Sequence, residues 1–86
     1  MNDIFVTNTY RVLKTMYNNS RQIGKDTYCP LGQREIADDL GLSRAAVNKI
    51  FTDLRKGGYI IMLSRGNWQL TKLANTLVET LESVKS

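Results

Sequence analysis

Residues 33–60 read "QREIADDLGLSRAAVNKIFTDLRKGGYI". Ile36, Ala37 and Leu40 fall on one side of a helical repeat, Gly41 interrupts it, and Val47, Ile50, Phe51 and Leu54 take it up again. Glycine enters the left-handed conformation that ends a helix without a Cβ clash. Ser43 stands where a hydroxyl caps the next helix. The spacing therefore predicts two amphipathic helices, over 33–40 and 43–56, joined by a tight turn and stopped by Gly57-Gly58. Two helices that cross steeply over so short a turn need a small residue where they touch, and Ala37 meets that need.

Beyond the pair, Tyr59 to Leu63 is rich in apolar and β-branched residues. Ser64-Arg65-Gly66-Asn67 makes a turn, and Trp68-Gln69-Leu70 alternates, which predicts a β-hairpin. Thr71 is placed to cap a last helix carrying Leu73, Ala74, Leu77, Val78, Leu81 and Val84. Before the pair, Val6, Tyr10, Leu13 and Tyr17 form a helical stripe that ends at Asn18-Asn19-Ser20. Residues 20–27 are expected to be a loop. Pro30 has no N–H, so any pairing over 28–31 is expected to be short and at a sheet edge. Leu73, Ala74 and Leu77 are expected to seat the last helix. The expected fold is mainly α with a small β-hairpin (α+β), in the order helix, strand, helix, helix, hairpin, helix, as one domain over 1–86.

With 86 residues, the chain buries only about 60–65% of its unfolded surface, too little to build a large enzyme pocket. It has no histidine and one cysteine, Cys29. Acid–base, nucleophilic and metal chemistry all lack their parts, so neither an enzyme nor a cofactor, metal or small-molecule ligand is expected. Asp38-Asp39 reads as a solvated helix face, and Cys29 as a small buried apolar side chain. The longest apolar run, Tyr59 to Leu63, is far short of the ~20 residues that cross a bilayer. A reducing, cytoplasmic location is expected.

The net charge of +4 is unevenly spread. Residues 1–42 balance Arg11, Lys14, Arg21, Lys25 and Arg34 against Asp3, Asp26, Glu35, Asp38 and Asp39. Residues 43–72 hold Arg44, Lys49, Arg55, Lys56, Arg65 and Lys72 against Asp53 alone. So local a positive field suits a polyanionic partner.

Gln33 to Thr52 resembles the DNA-binding helix-turn-helix at its defining positions, and "DLRKGGYIIMLSRGNWQLT" looks like the end of a recognition helix followed by a wing. "QREIADDLGLSRAAVNKIFTDLRKGGYI" is similar to the DNA-binding domain of the Crp/Fnr family. "QLTKLANTLVETL" resembles the passage from wing to last helix in the MarR family. The resemblance covers residues 28–82 and implies a winged helix-turn-helix: helix-turn-helix over 33–56, wing over 59–70, last helix over 71–85. It departs from the pattern at Gly32, where such proteins usually have Thr or Ser, and no nucleotide-binding sensor domain is expected ahead of the motif.

What the resemblance implies is sequence-specific binding to double-stranded DNA, as in a prokaryotic, phage or plasmid transcriptional regulator. Helix 43–56 would lie in the major groove. Opposite its apolar side stand Arg44, Ala45, Asn48, Lys49 and Thr52, of which Arg44 and Lys49 suit guanine, Asn48 adenine and Ala45 a thymine methyl. Gln33, Arg34 and Ser43, near helix N-termini, would hold phosphates, and Arg55 and Lys56 would either do the same or serve as cations at the C-terminal end of their own helix. At the wing tip Arg65 and Asn67 would meet the minor groove. Trp68 suits the core better than nucleic-acid stacking. Leu81 and Val84 continue the last helix's stripe past the expected core, which suggests a homodimer through Leu77, Leu81 and Val84. The competing function is a winged-helix module for protein–protein assembly, or for plasmid or phage replication.

Overall fold

A computed structural model describes residues 7–64 and 66–85. The elements run α1 (Asn8–Asn18), β1 (Arg21–Ile23), β2 (Asp26–Cys29), α2 (Gln33–Leu40), α3 (Arg44–Lys56), β3 (Ile60–Ser64), β4 (Asn67–Leu70) and α4 (Lys72–Lys85). The α+β class and the four helices are as expected. Val6, expected in the first helix, lies outside the described residues.

The hydroxyl of Thr7 caps α1 by accepting from the Tyr10 N–H at 3.2 Å. This helix buries Tyr10, Val12, Leu13 and Met16. The expected loop that follows is instead a β-hairpin, with Arg21 opposite Tyr28 and Ile23 opposite Asp26. Gly24, at φ 64°, occupies the first turn position, where a two-residue hairpin turn favours glycine. All three residues of β1 are exposed, so the strand carries no alternating apolar signal by which a sequence reading would find it.

Nor is β2 at an edge. The sheet order is β1-β2-β4-β3, antiparallel throughout. Pro30 falls just past β2 and takes nothing from the ladder. Thr27 and Cys29 point inward, paired with Leu70 and Trp68.

Inward-facing residues of both layers meet around Phe51 and Trp68, whose rings stand edge to face with centroids 4.7 Å apart. Only 5% of Trp68 is exposed, so the core reading holds and stacking on bases does not. Cys29 is buried as expected, and burial pushes its thiol pKa up.

The hydroxyl of Thr71 accepts from the Ala74 N–H at 3.3 Å and donates to the Gly58 carbonyl at 2.7 Å, joining the start of α4 to the exit of α3. Helix α4 buries Ala74 and Val78, whereas Leu73, expected to help seat it, is 51% exposed. Three polar contacts tie the helix to α1. Tyr10 Oη donates to Glu82 Oε2 at 2.6 Å, Lys14 Nζ lies 2.9 Å from Glu82 Oε1, and Tyr17 Oη donates to Glu79 Oε2 at 2.9 Å. No helix among the described residues is long and apolar enough to cross a membrane.

Candidate nucleic-acid interface

The geometry of the helix pair is set in the turn. Helix α2 ends at Gly41 in the left-handed conformation, φ 69° and ψ 30°, and the Leu42 N–H returns to the Ala37 carbonyl at 3.0 Å. Helix α3 then starts from Ser43, whose hydroxyl accepts from the Ala46 N–H at 3.0 Å. Ile36, Ala37, Val47 and Ile50 are buried, and Leu40 and Leu42 pack against that core. The packing turns the opposite side of α3 to solvent.

On that side the first turns of α2 and α3 come together. Gln33, Arg34, Arg44, Ala45 and Asn48 line one shallow concavity of about 390 Å³. Thr52, Arg55 and Lys56 line a second, further along the helix. Two helix N-termini with their unpaired N–H groups and two arginines therefore open on the same surface, an arrangement suited to an anionic backbone. Among the described residues, Arg34, Arg44, Arg55 and Lys56 form no ion pair. Their charge is available to a ligand.

Lys49 is different: its Nζ lies 3.5 Å from Asp53 Oδ2 in an exposed pair one turn apart. Thr52 also has a local partner, since its hydroxyl donates to the Asn48 carbonyl at 3.0 Å, leaving only lone pairs for a base edge. The hydroxyl of Ser43 is occupied as an acceptor by its cap and keeps its proton to donate. At Gly32 the N–H donates to Glu35 Oε1 at 3.1 Å. That carboxylate satisfies the N–H of Gly32 itself, one half of a capping box, and the helix has no side-chain cap from glycine.

In the wing, Asn67 Nδ2 donates to Ser64 Oγ at 2.8 Å across the turn, so its amide braces the tip. Arg65 lies outside the described residues. Of the residues expected at a dimer interface, Leu77 and Leu81 pack partly against the core, so Leu81 does not lie past it. Val84 is 72% exposed.

Sequence reading missed Arg11. From α1 its guanidinium donates to the Leu40 carbonyl at 3.3 Å and to Asn8 Oδ1 at 3.0 Å, a cation at the C-terminal end of α2. It holds the end of that helix in place, and no local pattern links positions 29 residues apart. Among the described residues no group of three or more potential metal ligands occurs.

Residues 10–76 match the model of the Crp-like helix-turn-helix domain. No curated protein sequence is significantly similar to the chain. Solved structures are. The reduced, Fe(II) CO-sensing protein from R. rubrum superposes with a TM-score of 0.71 and 24% identity, covering 78% of this chain and 32% of its own. A transcriptional regulator of the CRP/FNR family from Thermus thermophilus gives 0.70 and 21%, covering 85% and 41%. A CRP-family transcriptional regulator from the same organism gives 0.64 and 25%, covering 78% and 36%. The chain spans well under half the length of each of these proteins. With its helix pair joined across Gly41, its wing and a family match that covers most of its length, the chain belongs to the Crp-like helix-turn-helix domain family, as a winged helix-turn-helix DNA-binding domain.

Proposed function

We propose that the chain reads double-stranded DNA in a sequence-specific manner and regulates transcription in a prokaryote, phage or plasmid. The start of α3 enters the major groove, and the wing lies beside the minor groove. The observation that carries this reading is the concavity of Gln33, Arg34, Arg44, Ala45 and Asn48 at two helix N-termini, with no acidic residue in its lining. Arg44, Asn48 and Lys49 carry the donor patterns that distinguish guanine and adenine in the major groove, and Ala45 can approach a thymine methyl. Gln33, Arg34, Ser43, Arg55 and Lys56 contact phosphates and set the register. Arg65 and Asn67 lie at the groove edge.

Two copies on half-sites one DNA turn apart would double this surface, which on its own is small for a specific complex. Selection of binders from random duplex DNA tests the reading. A recovered motif whose affinity falls linearly in log salt, by ~0.9 per phosphate contact, supports it. Weak binding to every sequence, insensitive to salt, overturns it.

A second reading, a module for protein assembly or for plasmid or phage replication, is favoured by one observation. Ile61, Met62 and Leu63 of β3 and Ile23 of β1 are all exposed on the sheet, an apolar area that DNA does not need.

A further inference from the structure

Thr27, Cys29, Trp68 and Leu70 face the core from β2 and β4. Successive side chains of a strand alternate between faces, so Tyr28 and Gln69 stand on the outer side of the sheet. Arg21 lies opposite Tyr28, and Ile23 opposite Asp26. Cross-strand partners share a face, which puts Arg21 and Ile23 on the same outer side. The ladder of β3 and β4 slips between Met62 and Ser64, leaving Leu63 without a cross-strand partner. Such a bulge re-aims a side chain.

Together these residues border a cavity of about 380 Å³ beside the wing, where Arg21, Ile23, Tyr28, Pro30, Leu63 and Asn67 contribute to the lining. Its size is within the range of small-molecule sites. Ile23 and Leu63 give it exposed apolar walls, with Pro30 and Tyr28 adjoining them. The polar groups nearby are engaged with one another. The Tyr28 hydroxyl donates to Asp26 Oδ2 at 3.2 Å, Gln69 Nε2 donates to Asp26 Oδ1 at 3.3 Å, and Asn67 Nδ2 donates to Ser64 Oγ at 2.8 Å. Arg21 differs from them. Among the described residues it forms no ion pair, and no acidic residue lines the cavity.

We propose that this cavity binds a small amphiphilic acid, its carboxylate held by Arg21 and its apolar body against Ile23, Tyr28 and Leu63. The ligand class follows from the lining. An uncharged apolar molecule would cover the guanidinium without replacing its water, and a phosphate group alone would leave Ile23 and Leu63 in water. A carboxylate matches the planar fork of arginine through two hydrogen bonds. An apolar chain behind it then removes the walls from water. A protein laid on the sheet would also cover Ile61, which is exposed on the same side but lies outside the cavity. The lining draws nothing from α2 or α3, so occupation of the cavity does not depend on DNA reading.

The experiment is a titration of the isotopically labelled full chain with sodium octanoate at constant ionic strength. It is followed by nuclear magnetic resonance through the backbone amides and the indole N–H of Trp68, the one tryptophan, which also lines the cavity. Saturable shifts at millimolar octanoate, confined to β1, β2 and the wing, are expected. Arg21→Gln should weaken octanoate binding by about threefold to tenfold and leave binding of n-octanol, the uncharged counterpart, unchanged. Leu63→Ser should weaken octanoate by about threefold or more, whereas Ile61→Ser should not change it. All three positions are exposed, and spectra that superpose away from the cavity should show the variants folded. No saturable shift, shifts spread over other surfaces, or an Arg21→Gln variant that binds octanoate as well as the parent overturns the proposal. So does equal weakening by Ile61→Ser and Leu63→Ser, which would mean a broad apolar face suited to a protein.

Discussion

The ammonium of Lys49 and the carboxylate of Asp53 lie 3.5 Å apart on the outward side of α3, with Asp53 the one acid between residues 43 and 72. The pair joins a candidate base-reading cation to the acid that opposes its charge. Exposed pairs of this kind contribute ~0–1 kcal/mol to stability, so their greater effect is on binding. Removing the acid should leave the fold alone and raise the affinity of the helix for any DNA. Asp53→Asn is therefore expected to melt within roughly 8 °C of the parent. In fluorescence anisotropy it should bind cognate and unrelated duplexes several-fold more tightly at low salt, so that the ratio between them does not rise. An unchanged affinity for both would show that α3 does not approach DNA at this position.

Asn48→Ala removes the amide suited to adenine from an exposed position. The expected loss is ~1–3 kcal/mol on the cognate site, with base preference relaxed at a single position. Arg34→Ala, by contrast, should weaken binding to all sequences alike and reduce the slope of log K against log salt by about 0.9. Comparing the two variants on a panel of single-base substitutions separates reading from anchoring.

Gly41→Ala tests the turn. A Cβ there would meet nothing within 4 Å, yet φ is 69°, so the cost is conformational: ~1–2 kcal/mol for an L-residue in the left-handed region. For a domain of this size that lowers the melting temperature by roughly 4–16 °C. Gly41→Asn should lose less, because asparagine tolerates this conformation better. Calorimetry on the three proteins checks the order glycine, asparagine, alanine.

Alkaline pH should loosen α4 from α1. Burial, and then the hydrogen bond to Glu82, raise the Tyr10 pKa well above its ordinary value of 10.0, while the bond to Glu79 and burial raise that of Tyr17. In the folded chain both phenols hold their protons more tightly than in the unfolded chain. Their stabilisation is thus complete below pH 10 and is lost as pH rises through the folded values. Chemical denaturation at pH 8 and about pH 11 should show a decline that Tyr10→Phe reduces. The same decline in the Tyr10→Phe/Tyr17→Phe double variant would attribute it to other groups.

Much of the helix-turn-helix was legible because its information is local. Gly41, Ser43 and the apolar repeats of α2 and α3 act over one or two turns, and helix period, capping and left-handed turns are read over that range. The basic middle third was legible too, since charge balance is a property of composition. The β1–β2 hairpin was not. Its first strand is exposed throughout, and the partner that makes β2 an inner strand, β4, is 43 residues along at Thr27 and Leu70. Periodicity placed the stripe along α4 and, of its expected seats, Ala74 fully and Leu77 in part, but not the exposure of Leu73. Leu73 is out and Val78 is in, on a helix whose Glu79 and Glu82 meet hydroxyls and an ammonium of α1.

The sequence by itself determined where the helices start and stop, that they pair across Gly41, and that the second carries a cationic outward side, because each follows from neighbours in the chain. Only the tertiary structure decided that Gln33 and Arg34 share one concavity with Arg44, Ala45 and Asn48, that Arg11 secures the end of α2, and which side of α4 faces solvent. These depend on the angle at which packed helices cross. The contacts that fix how α1 lies on α2 and α4, Arg11 with the Leu40 carbonyl and Tyr10 and Lys14 with Glu82, join positions far apart in the chain, which no local pattern encodes.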